Sequence, residues 1–251
     1  MKFVRLAVVL LAVVALSACS SSDDRADEFG AWAGTLEYVA SVDASPGPDG
    51  GGMTAHLVVD GAIPNADLVS LVDSLRGRAA DESIAPAAIN LIVGNAWGFS
   101  TDDAGVNVST INQLRDDPLF VGATIWYQPL DAAPTYVGGL HGTVGSQAGL
   151  RDAPAALTAA YTTNGGDLDG VPVTVSTADG EFSIAGIGDA LPDAAITLWQ
   201  AISGRVLPTA VSAVLAEDGE SLTISVGTAE EKATAEAIGA QFPDVTLTVT
   251  L

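Results

Sequence analysis

The thiol of Cys19 is the most reactive side chain in this chain of 251 residues, which holds a single cysteine. A basic start, an apolar run from Leu6 to Leu16 and two small residues precede it. This layout is typical of a secretory signal peptide, and the run is too short to span a bilayer as a mature helix. With no second cysteine, we expect an attachment point rather than redox or metal chemistry. An ordinary signal peptide with an incidental cysteine is the alternative.

Acid–base or metal chemistry would fall to two histidines, His56 in TAHLVVD and His141 in GGLHGTV. A transition-metal site needs several ligands at fixed spacing, and the sequence holds no such cluster, so we expect structural roles. A Ser/His/Asp triad stays open, because its members need not be sequence neighbours. The segment GSQAG (145–149) does not fit a nucleophile elbow, since Ser146 directly follows the first glycine.

Two acidic turns could supply oxygen ligands for Ca²⁺, namely Asp102 with Asp103 and Asp167 with Asp169. Neither turn has the distant bidentate glutamate of a complete calcium loop. Side-chain turns at strand ends explain these residues equally well. We therefore predict no metal and no cofactor.

The aromatic pair Trp126 and Tyr127 is the candidate binding element. Both fall in a predicted strand over LFVGATIWY (119–127), so their side chains should point to opposite sheet faces. One ring would then lie on the face that helices leave open, where it could stack on a sugar or a partner surface. Cover by a second part of the chain is the alternative.

The formal net charge of −22 arises from 31 acidic and only 9 basic residues. Phosphate backbones are bound by clustered lysine and arginine, so we expect no nucleic-acid partner. Anionic lipid headgroups should likewise repel the body of the protein. A large net charge is in itself typical of a solvated, soluble surface.

Hydrophobic periodicity predicts helices that start near residues 65, 110, 148, 193 and 229, with strands between them, mostly in pairs. Two hairpins are expected, 171–177 with 181–187 and 209–217 with 221–227. The segments AIPNADLVSLVDSLRG (62–77) and ALPDAAITLWQAISG (190–204) look like copies. The unit is helix–strand–strand, of roughly forty residues.

Local signals mark the ends of these helices. Asn65 and Asp193 are predicted N-caps, each before an apolar stripe, and a glycine (Gly77, Gly204) is the predicted stop. The stripes comprise Leu68, Leu71, Val72 and Leu75 in the first copy, and Ile196, Trp199 and Ile202 in the second. Thr228–Glu231 and Thr110–Gln113 both fit a capping box.

These elements predict an α+β fold of two tandem β-α-β-β-α-β modules, of split βαβ type, with helices packed on one face of mixed sheets. We expect a signal peptide at 1–18, a lipidated flexible tether at 19–33, a first module at 34–130 and a second module at 131–251. The boundary falls near PLDAAP (129–134).

Two family resemblances add to this. Leu16-Ser17-Ala18-Cys19 resembles the lipobox of bacterial lipoproteins, which implies a diacylglyceryl thioether on Cys19, cleavage before it and acylation of the new amino terminus. The stretch SLTISVGTAEEKATAEAIGAQFPDVTLTVTL (221–251), and less fully VVDGAIPNADLVSLVDSLRG (58–77), is similar to the BON-like domain of a mycobacterial OmpA-family envelope protein. That resemblance implies envelope association and binding of phospholipid or peptidoglycan, but supplies no catalytic residues.

We therefore expect a lipoprotein held at the extracytoplasmic face of the cell membrane through Cys19. Its expected role is non-catalytic, binding or scaffolding in the envelope, with peptidoglycan or another envelope protein as partner. Two alternatives stay open. One is a carrier of apolar small molecules between the helices and the sheet, and the other is a hydrolase.

Overall fold

A computed structural model describes residues 22–47, 52–81, 87–126 and 138–251. Within these ranges the chain forms six α-helices and one sheet of eleven strands. The helices are α1 (Ser22–Ala33), α2 (Asn65–Asp81), α3 (Ala104–Asp116), α4 (Ala153–Thr163), α5 (Asp193–Ser203) and α6 (Ala229–Gly239). The strands are β1 (Val39–Pro46), β2 (Met53–Val59), β3 (Ala87–Val93), β4 (Trp97–Ser100), β5 (Phe120–Ile125), β6 (Leu140–Val144), β7 (Pro172–Thr177), β8 (Phe182–Ile187), β9 (Ala210–Ala216), β10 (Gly219–Ser225) and β11 (Val245–Thr250).

The strands lie in the sheet in the order in which they occur in the chain. Strands joined by a helix pair in parallel, as β2 with β3, and strands joined by a hairpin pair antiparallel, as β3 with β4. The fold is therefore α+β, with helices on one face of a mixed sheet.

The predicted split βαβ arrangement is wrong, because the two strands that each helix joins are direct neighbours. A split unit needs a strand inserted between them, and the chain makes a tight hairpin instead. At the β3–β4 turn, Gly94 and Asn95 have φ values of +58° and +64°, the geometry of the hairpin turns that match strand twist. Each new strand therefore lies directly beside the preceding strand in the sheet.

The sheet also continues through the predicted module boundary. β5 pairs antiparallel with β6, and Ile125 lies opposite Leu140. Residues 129–134, where we predicted the boundary, lie outside the described residues. Both predicted halves thus contribute strands to one sheet.

The predicted repeat is present. After α1, helices begin at residues 65, 104, 153, 193 and 229, each between two parallel strands. The unit length of roughly forty residues agrees with the sequence analysis. Both predicted hairpins are confirmed, β7 with β8 and β9 with β10.

The core lies between the helices and one face of the sheet. Strand β2 alternates strictly between buried and half-buried residues, with Met53, Ala55, Leu57 and Val59 on the buried side. The predicted stripe of α2 is buried against this face. Trp199 and Ile202 of α5 are buried as predicted, whereas Ile196 is only half-buried.

The predicted flexible tether is wrong over residues 22–33, which form α1. Ala26, Phe29 and Ala33 recur at helical spacing and are at most 1% exposed. This apolar stripe packs onto β1, so the polar and acidic residues that suggested a tether occupy the other side of a docked helix. Among the described residues the buried core begins at Ala26, and the segment 20–251 therefore carries the whole described core.

The start of α3 and the end of α2 differ from prediction. The helix α3 begins at Ala104, and Thr110 is inside it rather than capping it. The hydroxyl of Thr110 donates to the Val106 carbonyl at 2.8 Å, which satisfies a buried polar group within the helix. Gly77 does not stop α2, because it keeps helical φ in open space and the helix runs on to Asp81.

The caps of α5 and α6 show one wrong prediction and one correct one. Asp193 does not cap α5; it is the first helical residue, and the carboxylate of Glu220 in β10 accepts from the Ala195 amide at 2.8 Å instead. Gly204 is the C-cap of α5 as predicted. The capping box of α6 is confirmed, since the Glu231 amide donates to the Thr228 hydroxyl.

Neighbouring helices pack against each other along the layer, with one interruption. The close contacts join α1 to α2, α2 to α3, α3 to α4 and α5 to α6. Two pockets lie at this interruption, one lined by α5, β8 and the segment before α4, and the other by α4 and the segment before α5. The helix layer is therefore divided at this one position.

Replacing Glu220 with alanine should destabilise the protein by about 1 kcal/mol, because the first turn of α5 loses its acceptor. Urea unfolding of the 20–251 segment measures the change. Glu217→Ala, at an exposed carboxylate in the β9–β10 turn, is the matched control and should have little effect. Equal losses in the two variants would show that the cap contributes nothing.

Candidate functional site

Trp126 lies past the end of β5 rather than within a strand as predicted. Its φ is +50°, a left-handed conformation that is uncommon for a bulky residue and takes the side chain out of strand alternation. The indole Nε1 donates to the Tyr161 hydroxyl of α4 at 3.0 Å, so Trp126 is tied to the helix layer rather than to the open face of the sheet. Tyr127 lies outside the described residues.

Glycines make room for the hydrogen-bonded rings of Trp126 and Tyr161. A Cβ on Gly138 would come within 2.6 Å of the Trp126 ring, and one on Gly166 would collide with the Tyr161 ring. The indole of Trp126 is 36% exposed, so a binding contact there is sterically possible. Its role in binding stays a prediction.

The two histidines both lie on the side of the sheet that the helices leave open, but far apart. His56 is on β2 and His141 on β6, with three strands between them, a separation of about 19 Å. Burial lowers the pKa of His141 from its ordinary value of 6.5. Burial also lowers the pKa of His56, and the Asp43 carboxylate opposes that shift. Both imidazoles are therefore uncharged at neutral pH.

The acidic turns have local structural roles. The Asp167 side chain accepts from the Asp169 amide at 3.1 Å, which is a side-chain turn of the predicted kind. Asp103 is the N-cap position of α3, and its backbone carbonyl accepts from the Asn107 amide at 2.9 Å, while its side chain makes no capping hydrogen bond. Among the described residues, no three His, Asp or Glu side chains come together in a way that could hold a metal ion.

The feature that the sequence analysis missed is a row of hydroxyls on the uncovered side of the sheet, here called the open face. Strand pairing places one hydroxyl residue per strand opposite the next, from β6 to β11. The hydroxyl row comprises Thr143, Ser176, Ser183, Ser212, Thr223 and Thr248. Neighbouring strands are about 4.8 Å apart, so the row is about 24 Å long.

Most of this row has unused hydrogen-bonding capacity. Ser183 and Ser212 bond to each other at 3.1 Å, which shows that facing residues point the same way. The hydroxyls of Thr143, Ser176, Thr223 and Thr248 make no hydrogen bond to any described residue, and none of them is fully buried. Each can therefore donate and accept toward an external group.

Charge is segregated away from the open face. Strands β2 to β11 place no Asp, Glu, Lys or Arg on it; Glu220 of β10 points to the helix side, where it caps α5. At the edge strand β1, Asp43 lies opposite His56. A chain with a net charge of −22 thus keeps one broad face almost neutral.

The amino-acid pattern does carry a signal for this row. Alternation of hydroxyl and apolar residues, as in VTVST (173–177) and VTLTVT (245–250), is typical of strands with one wet face. The sequence pattern does not give the strand register, which aligns the hydroxyls across six strands.

Comparisons with protein-family models and with curated proteins find no significant match. The BON-like resemblance therefore remains a prediction made from the residues. In the described part of the chain, no helix has the length and hydropathy required to cross a bilayer.

Proposed function

We propose that this protein is a lipid-anchored, non-catalytic binding module of the cell envelope, and that its open face docks on the uncharged glycan strands of peptidoglycan. The hydroxyl row carries this proposal. Its free hydroxyls match the hydroxyls of a polysaccharide, which are also donors and acceptors at once. The tandem BON-like modules, 34–130 and 131–251, belong to the same proposal as two groups of repeat units that build one sheet.

The charge distribution supports a neutral partner. Thr143, Ser176 and Thr223 face outward from a region without carboxylates, while most described acidic residues lie on helices and in loops, apart from Asp43 on the edge strand β1 and Glu220 on the helix side of β10. An acidic partner would be repelled by the body as a whole, and a basic one would be drawn to the helix side. A neutral glycan is neither repelled by the body nor drawn to the helix side, and it would bind the open face through hydrogen bonds.

Anchoring through Cys19 follows from the lipobox and suits this arrangement. Two or three acyl chains hold a protein stably on a membrane. α1 begins at Ser22, three residues after Cys19, a reach of at most about 11 Å. The anchored body would therefore lie close to the membrane at its α1–β1 end, with the later strands farther along the sheet.

No specific observation favours the hydrolase alternative; His56 and His141 lie on separate strands, about 19 Å apart. The carrier alternative is favoured by one observation, the opening between α4 and α5. That opening is distinct from the open face and is treated below.

Cys19→Ser should abolish anchoring. In a host with lipoprotein processing, the unchanged chain is expected to take up an alkyne-labelled fatty acid and to sediment with membranes. The variant should do neither, because the thioether cannot form. Label retained by the Cys19→Ser chain would contradict lipidation at this residue.

Removal of the hydroxyls should weaken binding to purified sacculi. Thr143→Val, Thr223→Val and Thr248→Val together keep side-chain shape and β propensity while deleting three donors. At about 1 kcal/mol for each hydrogen bond, the affinity should fall tenfold or more in co-sedimentation of the 20–251 segment.

The matched control carries Thr158→Val, Thr162→Val and Thr197→Val on the helix side, where Thr158 is half-buried and the other two are exposed, and it should bind like the unchanged protein. Liposomes run in parallel test the lipid surface as the other source of binding. Equal binding by the two triple variants would overturn the assignment of the open face.

A further inference from the structure

The opening between α4 and α5 holds a pocket of about 400 Å³. This size is at the lower end of the range for small-molecule sites. Its walls come from the segment before α4, from strand β8 and from α5. The lining residues are Gln147, Ala148, Leu150, Arg151, Ile184, Ile196, Trp199, Gln200 and Ser203.

The inner wall of this pocket is apolar. Leu150 and Ile184 are at most 2% exposed, and the half-buried Ile196 flanks them. The ring of Phe182 stacks on the ring of Trp199, with 6.2 Å between the ring centroids and 15° between the ring planes, and this contact fixes the orientation of the indole. A fixed aromatic plane and branched aliphatic groups favour a rigid apolar ligand body.

The rim has one charge, and it is positive. Arg151 lines the pocket, and no aspartate or glutamate does. The guanidinium of Arg151 makes no ion pair and no hydrogen bond with any described residue. In a chain with 31 acidic and 9 basic residues, a carboxylate-free pocket with an unpaired arginine is a local reversal of charge.

Trp199 adds a second polar group without a partner. Its side chain is 92% buried, since 8% is exposed, yet its Nε1–H donates to no described acceptor. Nε1 is also not among the fully buried unpartnered atoms, so it keeps access to solvent. This N–H can therefore exchange a water molecule for an acceptor that a ligand supplies.

We propose that this pocket binds a small carboxylic acid with an aromatic or branched apolar body. The apolar part would pack on Trp199, Ile184 and Ile196. The carboxylate would pair with Arg151, whose planar fork suits it, and would come within reach of the indole N–H. The amide side chains of Gln147 and Gln200 at the rim can bond to further polar substituents.

The second pocket, which is lined by α4 and by the segment before α5, has different chemistry. It has a volume of about 310 Å³, and its one charged lining residue is Asp189. An organic anion would be repelled there. The proposal therefore concerns the pocket beside Arg151 alone, and it does not depend on the proposed function of the open face.

Calorimetric titration of the 20–251 segment with naphthalene-2-carboxylate tests this, with naphthalene-2-carboxamide as the uncharged isostere. We expect saturable binding of the acid, weakened about fivefold to tenfold by Arg151→Gln. Binding of the amide should be weaker and insensitive to that change. Arg205→Gln, at an exposed arginine that does not line the pocket, is the matched control and should leave binding of the acid unchanged.

A second variant locates the site independently of charge. Ile196→Phe fills the pocket at a half-buried position and should abolish binding of both compounds, with thermal melting as the check on folding. Three results would overturn the proposal. They are no saturable binding of the acid, equal affinity for acid and amide, or binding of the acid unaffected by Arg151→Gln and Ile196→Phe.

Discussion

The rest of this structure depends on one constraint, the short crossover between strands that are direct neighbours. Each helix that joins two adjacent parallel strands has one apolar stripe, and this stripe packs on the sheet face where the strands place their buried apolar side chains. Hairpins such as the one at Gly94 and Asn95 then start the next crossover beside the last. Repetition puts every crossover helix on one side and leaves the opposite side without helices.

This one-sidedness explains the distribution of residue types. Positions that face the helices, such as Leu57, Leu91 and Val175, are buried and apolar. From β6 to β11, many positions that face away carry threonine or serine, which suit strands and half-exposed surfaces. Most of the described acidic residues lie on helices and in loops, so the helix side is charged and the open face is nearly neutral.

Much of the fold could be predicted from the sequence. The apolar stripe of α2, the capping box at Thr228 and the hairpin around Gly180 are all local patterns, and each was confirmed. The errors share a physical cause. Residues 22–33 are mostly polar in sequence, and their apolar stripe is recognisable only once β1 provides a surface for Phe29. The first turn of α5 is capped by Glu220, which lies in strand β10 and is distant in sequence.

The candidate sites were harder to predict for the same reason. Threonine and serine alternate visibly in single strands, but only strand register aligns Thr143 with Ser176 and the rest of the row. The pocket beside Arg151 exists because α4 and α5 do not pack closely, which no local pattern records. The sequence predicts a strand at Trp126, and a positive φ cannot be predicted from a tryptophan, which rarely adopts one.

The most direct test of the open face uses the absence of cysteine from residues 20–251. A single Thr223→Cys chain places a thiol on the hydroxyl row, and a single Ser70→Cys chain places one on the exposed side of α2. The rate of alkylation is measured with and without sacculi. We expect sacculi to slow alkylation of the Thr223→Cys chain and to leave the Ser70→Cys chain unchanged. Protection of the α2 position alone, or of neither position, would contradict docking through the open face.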